Sequence, residues 1–313
     1  MKTTYKSFLS KVDTDFLIGT TLFPMRFMLF DPSKDVGRLP HCHNCLEILL
    51  MDKKGVSMVI NGSETDVREN DVVVLNSLDI HSFGGDGARI LCLQIRSTFS
   101  TQYGLANDKW VPFGDEERVL PREGSDAQLI AGQMRYILSM LLEIFPEAEL
   151  HRVLIETGAI HEKLPVWVSM EMSTSCLKII SCMQRSKQKI SGADNPAGMY
   201  RDALFGRRWE SLSNYVKEHY NETIPIRQVA ESLGLTENYF CRYFKKVTAM
   251  TFVKYLNLYR CERAEELLQN SELSILEVAA KVGFEDAGYF SRLYRQLMGK
   301  TPRETRAGKF EKD

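Results

Sequence analysis

Four side chains, His41, His43 and Glu47 in one short segment and His81 further along, are of the types that take up a cation or hydrogen-bond a polar ligand. On an extended strand His41, His43, Cys45 and Glu47 share one face, while Cys42, Asn44 and Leu46 take the other. Imidazole and carboxylate groups in that pattern suit iron, manganese, nickel or zinc. Cys42 and Cys45 point apart on the same strand. A Cys-x-x-Cys zinc chelate would need a knuckle instead, and the sequence holds no second pair to complete it. The other use of the four side chains is to line a pocket for a small polar effector in the mouth of a β-structure, a usual position for ligands. The effector pocket of His41, His43, Glu47 and His81 is the expectation, with no bound metal, no cofactor and no catalysis.

A second chemistry is repeated. Tyr239-Phe240-Cys241-Arg242 and Tyr289-Phe290-Ser291-Arg292 are each preceded by a short amphipathic stretch that ends at glycine, from Ile226 to Gly234 and from Ile275 to Gly283. After each glycine comes a turn with an N-cap candidate, Thr236 or Asp286, and then a second apolar-periodic segment. Helix, glycine turn and capped helix make a helix-turn-helix, whose second helix can enter the major groove of DNA. The offset between copies is 49 residues from Val229 to Val278 and 50 from Tyr239 to Tyr289, so the second turn holds one extra residue, at about Glu285. Inside a helix that residue would rotate every later side chain by about 100 degrees.

Net charge is -1 and the sequence pI about 6.6, so the whole chain carries no basic signature. Local charge does. No Asp or Glu lies between Asn238 and Arg260, where Arg242, Lys245, Lys246, Lys254 and Arg260 occur. The same holds from Ala287 to Arg303, with Arg292, Arg295, Lys300 and Arg303. Acid-free basic windows that begin on each recognition helix are what phosphate contacts require.

These groups need elements to hold them. With 313 residues, 44% hydrophobic and 26% charged, the chain can form two or three globular domains. Val56 to Ile60, Asp71 to Leu75 and Arg89 to Ile95 read as strands, Asn61-Gly62 as a hairpin turn, and the spacing as a barrel or sandwich. From Gln128 the period becomes helical, with Leu129, Met134, Ile137, Leu138, Leu141, Leu142 and Phe145 on one face before Pro146. Further helices are expected over Ala148 to Ile160 and Cys176 to Gln184, serving core packing or a dimer seam. Arg185 to Met199 is poor in apolar residues and rich in breakers, the pattern of a linker. Helix resumes near Trp209, and Thr251 caps a long helix to Gln269 that sets the distance between the two units. Seven scattered cysteines form no disulfide framework and fit a reducing cytoplasm; no apolar run reaches membrane-spanning length.

From about Trp209 to Arg306 the sequence resembles the DNA-binding domain of AraC/XylS-type transcription regulators. The residues that carry the resemblance are Ser274-Ile275-x-Glu277-Val278-Ala279-x-x-Val282-Gly283-Phe284, then Tyr289-Phe290-Ser291-Arg292-x-Tyr294-Arg295 and Gly299-x-Thr301-Pro302. It departs from the family at Ala287-Gly288, where a polar side chain is usual, and at Thr305, where an aromatic is usual. The family places recognition helices from Glu237 to about Val247 and from Ala287 to about Leu297. Helical geometry then turns Phe240, Phe244, Val247, Phe290, Tyr294 and Leu297 inward. Outward it leaves Asn238, Cys241, Arg242, Lys245 and Lys246 in the first helix, and Gly288, Ser291, Arg292 and Arg295 in the second. Arg242 and Arg292 are the expected base readers, and Lys245, Lys246 and Arg295 the phosphate contacts. Near the N-terminus, His41, His43, Glu47 and His81 resemble the three-His-one-Glu pattern of metal cupins, although Asn76 and Leu78 stand where the second cupin motif has Pro and Gly.

Together these resemblances imply a multidomain chain. An all-β cupin-like barrel over residues 1–125 senses an effector, possibly a carbohydrate; 126–184 forms a helical supporting or dimerisation region; 185–206 is a linker; and 207–313 is an all-α double helix-turn-helix domain. The implied function is a cytoplasmic DNA-binding regulator, an activator by family habit and not an enzyme. Its implied partners are double-stranded DNA, the effector, a second copy and RNA polymerase. The rival is a metal-dependent cupin enzyme fused to a DNA-binding domain.

Overall fold

The computed structural model describes residues 25–32, 39–43, 45–77, 79–85, 87–96, 118–120, 122–146, 164–190 and 196–307. The chain divides into two compact units between Gly206 and Arg207.

The first unit carries eight described strands: β1 (Met25–Phe30), β2 (Cys45–Lys53), β3 (Val56–Ile60), β4 (Ser63–Val67), β5 (Val72–Leu75), β6 (His81–Gly84), β7 (Arg89–Arg96) and β8 (Val119–Leu120). They form two antiparallel sheets, a five-stranded one in the order β1-β7-β2-β5-β8 and a three-stranded one in the order β4-β3-β6. Asn61 and Gly62 join β3 to β4 with φ of 49° and 86°, the two positive angles of a type I′ turn, so the hairpin signal is met. The expected closed barrel is not formed among the described residues. The segment leading into β2 is tied to β6 by an antiparallel bridge, in which His41 N–H donates to the His81 carbonyl at 2.9 Å and His81 N–H to that of His41 at 2.8 Å, and Phe30 of β1 packs on Phe83 of β6 with ring centroids 5.6 Å apart.

Alternation along β2 gives the large sheet two different faces. Leu46, Ile48 and Leu50, with Met25, Phe27, Leu29, Val72, Val74, Leu91, Leu93 and Ile95, pack against two helices, α1 (Ser125–Ile144) and α2 (Val166–Ile190). Ile130, Met134, Ile137 and Leu141 of α1 meet Val168, Met172, Cys176 and Ile179 of α2 in the same core. Cys45 and Glu47 alternate with those leucines and face the other way, as strand period requires. Helix α2 begins ten residues before the Cys176 start read from sequence, and the expected helix over Ala148 to Ile160 lies outside the described residues.

The stretch expected as a linker is helical at both ends. α2 runs on to Ile190, and α3 spans Pro196–His219. Pro196 stands at the first helical position, where its missing N–H is harmless, and Ala197, Ala203 and Leu204 are strong helix formers. In the second unit α3 leads to α4 (Ile226–Ser232), α5 (Glu237–Thr248), α6 (Phe252–Asn270), α7 (Ile275–Lys281), α8 (Ala287–Met298) and α9 (Pro302–Ala307). Among the described residues no helix is long and apolar enough to cross a membrane.

Candidate functional site

The four N-terminal polar residues come together at the His41–His81 bridge, beside β2. The His41 and His81 rings lie 4.3 Å apart between centroids, His41 and His43 5.0 Å, and His43 and His81 5.6 Å. Behind them the Glu47 carboxylate faces His81 Nε2 at 3.1 Å and His43 Nε2 at 4.0 Å. Two groups orient the carboxylate: the Cys92 thiol and Gln94 Nε2 both donate to Glu47 Oε1 at 3.0 Å. Strand pairing explains this convergence, because Glu47 lies opposite Gln94 and Gln94 opposite Arg26, so the three polar residues cross β2, β7 and β1 in one row. Cys92, Gln94 and Arg26 were missed in the sequence. The available signal was Gln94, a lone amide in the otherwise apolar run Ile90 to Ile95.

Burial sets the charge state of this cluster. It holds His41 well below the ordinary histidine range and pushes His43 down to about 4, so both are neutral near pH 7. Burial alone would push Glu47 up and His81 down. At Glu47 the neighbouring His43 and then His81, with hydrogen bonds from His81 and Cys92, outweigh burial and hold the carboxyl well below its usual range; at His81 the Glu47 charge and hydrogen bond outweigh burial and the imidazole rises. The pairing favours the carboxylate form of Glu47 and the protonated form of His81.

The second unit repeats one device twice. α4 and α7 are both seven residues long and offset by 49, whereas α5 and α8 are both twelve residues long and offset by 50. The additional residue therefore sits in the second turn, as expected. Thr236 caps α5 by accepting from Tyr239 N–H at 3.4 Å, and Asp286 caps α8 by accepting from Tyr289 N–H. Phe240 and Phe244 are buried against Phe252, Tyr255 and Trp209; Phe290 and Tyr294 pack with Phe284. Leu297, expected inward, is only half-buried, and Met298 beside it fills the core.

On the opposite faces Asn238, Cys241, Arg242, Lys245 and Lys246 of α5 are exposed, as are Gly288, Arg292 and Arg295 of α8. Ser291 is half-buried, and its hydroxyl donates to Ala287 O at 2.8 Å. Among the described residues Arg242, Lys245, Lys246 and Arg292 make no ion pair, while other basic residues of the unit do: Arg227 with Glu231 at 2.9 Å, Arg263 with Glu266 at 3.0 Å and Lys300 with Glu265 at 2.6 Å. Four cations kept unpaired on two matching helix faces are a surface for a polyanion.

A family model described as a helix-turn-helix domain matches residues 229–308. The chain is 32% identical to the uncharacterized HTH-type transcriptional regulator YijO of Escherichia coli over 136 residues, 44% of this chain and 46% of that one, and so spans about half the length of that relative. It is 24% identical to the HTH-type transcriptional activator RhaS of Salmonella schwarzengrund over 272 residues, 86% of this chain and 87% of the relative. Among solved structures, the C-terminal domain of the two-component response regulator yesN from Fusobacterium nucleatum is 33% identical, over 30% of this chain and 93% of that one, with a TM-score of 0.29. The C-terminal unit thus carries an AraC-type helix-turn-helix domain.

Its departures from the AraC/XylS pattern have local explanations. Thr305, in place of the usual aromatic, is buried and its hydroxyl meets the Tyr294 hydroxyl at 3.0 Å, which satisfies a phenol that is otherwise enclosed. At Gly288 an added Cβ would lie a tight 3.2 Å from Oδ1 of Asp286, the cap of α8, and an ordinary 3.6 Å from Arg292 Nη1. Arg260, counted above among the basic residues facing phosphate, has another role. It reaches from α6 to the loop before α4, where Nε donates to Tyr220 O at 2.7 Å and Nη2 to Glu222 O at 2.8 Å, while its guanidinium lies 5.5 Å from the Phe284 ring. Gly283 touches the same loop: with φ of +89°, an added Cβ would sit 2.8 Å from Asn221 O. The turn of the second helix-turn-helix is thus seated on the loop that enters the first.

Proposed function

We propose that the protein is a sequence-specific DNA-binding regulator of transcription whose N-terminal sheets hold a small effector. The unpaired, outward Arg242, Lys245, Lys246 and Arg292 on two matched recognition helices carry this reading. Arg242 and Arg292 read base edges, where a guanidinium can bond guanine O6 and N7 together; Lys245, Lys246 and Arg295 hold phosphates. The two helices enter successive major-groove segments about 34 Å apart. Asn238 adds a base-edge group to the first helix that Gly288 cannot add to the second, so the two units read different sequences and the site for one protomer is asymmetric.

The effector is small and polar, because the walls offered to it are imidazole, carboxylate and amide. Its binding favours one disposition of the domains by a difference in affinity. Tyr136 and Leu142 on α1, with Val166, Trp167 and Met170 on α2, are exposed apolar side chains that support a homodimer through the helical layer. RhaS is named an activator, which supports activation, and with it contact to RNA polymerase, as this chain's mode. An electrophoretic shift and footprint on the DNA upstream of its own gene tests the reading. A protected site whose affinity falls steeply with salt is expected; protection at no sequence in preference to another would refute it.

A further inference from the structure

We propose that Arg260 is a positioning residue that locks the two helix-turn-helix motifs into a single reader of fixed half-site spacing. The consequence for spacing rests on reading the C-terminal unit as DNA-binding, while the lock itself is a property of the fold.

Two bodies joined through one helix share only a hinge. The first motif is fastened to the start of α6, where Phe240 and Phe244 pack on Phe252 and Tyr255. The second holds the far half, where Lys300, just after α8, pairs with Glu265 at 2.6 Å. Helix α6 has 19 residues and is about 28 Å long, and helices of that length bend. A small bend or roll between the two anchorages would move α8 against α5. Arg260, in the middle of α6, closes a second link. Its Nε and Nη2 donate to the carbonyls of Tyr220 and Glu222, at 2.7 and 2.8 Å, in the loop that enters α4. Its guanidinium also lies 5.5 Å from the ring of Phe284, in the turn of the second motif. Tyr220 packs on Tyr259 of α6, with ring centroids 5.3 Å apart. The loop supports the second motif directly, since a Cβ added at Gly283 would lie 2.8 Å from Asn221 O. One side chain thus ties together α6, the entry to α4 and the turn before α8. The planar fork of arginine suits this, because it can hold two carbonyls and lie on a ring at once; the single ammonium of lysine cannot.

Fixed spacing follows from the geometry of the duplex. Moving one half-site by a single base pair shifts it by about 3.4 Å and turns it by roughly 35°. A locked reader cannot then place Arg242 and Arg292 on their bases together, whereas a hinged one can. The competing role for Arg260 is a phosphate contact, which needs only its charge. Charge and fork are separable by substitution: lysine keeps the first and loses the second, and alanine loses both.

Full-length wild type, Arg260→Ala and Arg260→Lys are compared by competition shift assays on the site protected upstream of the protein's own gene, with the half-sites at native spacing and one base pair closer or farther. Wild type should lose roughly 5- to 150-fold in affinity at either altered spacing, the worth of one bidentate base contact. In both variants that penalty should shrink by at least about twofold, with the salt slope as in wild type. A phosphate contact gives the opposite pattern and would overturn the proposal: Arg260→Ala lowers the slope by about 1, Arg260→Lys restores it, and the spacing penalty is unchanged. Native-state hydrogen exchange on the same samples reads the lock without DNA. Glu222 N–H, bonded to His219 O, and Phe284 N–H, bonded to Ala279 O, each at 2.9 Å, should lose protection together in both variants. Unchanged protection within α5 and α8 checks that each motif is still folded. Should wild type protect no sequence, the regulator reading fails and exchange alone judges the lock: wild-type protection at both amides in both variants refutes it.

Discussion

Gly234 and Gly283 hold the same place in the two helix-turn-helix units, and alanine should cost them very different amounts. Both have positive φ, +66° and +89°, where an L side chain is disfavoured by about 1–2 kcal/mol. Alanine also restricts the unfolded chain, which returns ~0.4–1 kcal/mol. At Gly234 nothing lies within 4 Å of an added Cβ, so the net cost is about 1 kcal/mol. At Gly283 the Cβ would meet three backbone atoms of Asn221, at 2.8, 2.9 and 2.9 Å. Backbone cannot rotate aside as a side chain can, so displacement of that loop adds roughly 1–3 kcal/mol of overpacking strain. The expected totals are about 1 kcal/mol for Gly234→Ala and ~2–4 kcal/mol for Gly283→Ala. Native-state hydrogen exchange of the full chain, read on peptides from α4 to α8, measures both against wild type. The second variant should also lose DNA affinity at permissive temperature, because the loop before α4 is moved. Equal protection losses in the two variants would refute the close approach as the cause.

Arg292→Ala should cost about 1–3 kcal/mol of binding to the specific site and relax preference at one half-site, whereas Lys246→Ala should weaken binding to all sequences alike and lower the salt slope by ~1; competition shift assays at several salt concentrations separate them. Ala249, the C-cap of α5, is left-handed with φ of 57°, and the repeat places Gly299 at its counterpart. Ala249→Gly should therefore raise stability by about 1 kcal/mol, seen as a higher denaturant midpoint with unchanged slope. The histidine cluster makes stability fall in acid. His41 and His43 are depressed in the folded state, so between pH ~6.5 and ~4 the unfolded chain binds more protons and stability drops as pH falls, by up to about 1.4 kcal/mol per pH unit for each. Glu47 contributes stability above pH ~4.5 that is lost as pH falls through its lowered value, and His81 contributes below pH ~6.5 and loses it as pH rises through its raised value. Unfolding midpoints across that range should show a gentler acid limb in His43→Gln.

Much of the second unit is readable in the sequence because its signals are local. Caps Thr236, Thr251 and Asp286, the glycine turns and the inward faces of α5 and α8 each depend on residues within one or two helical turns. The extra residue near Glu285 was legible because the two copies calibrate each other. Long-range placement is different. Short β-branched and apolar runs marked β3, β5 and β7 as strands but not which sheet each joins, so a barrel was expected where two sheets form. Arg260 reads as one more cation in a basic window until the loop from Tyr220 to Glu222, some forty residues away in sequence, is brought beneath it. Gln94 and Cys92 join Glu47 only through strand register, which no spacing within one segment encodes.

The two-faced strand β2 restricts how this sensor can change over generations. Because Glu47 faces the cluster while Leu46, Ile48 and Leu50 face the helices, a residue inserted or deleted just before Leu46 would drive Glu47 into the aliphatic core and turn Leu46 and Ile48 to the polar side. Substitutions can therefore retune the ligand set one position at a time with the helical layer untouched. Changes of length cannot, and lineages that alter specificity are confined to swaps along this strand, with indels relegated to the turns that flank it.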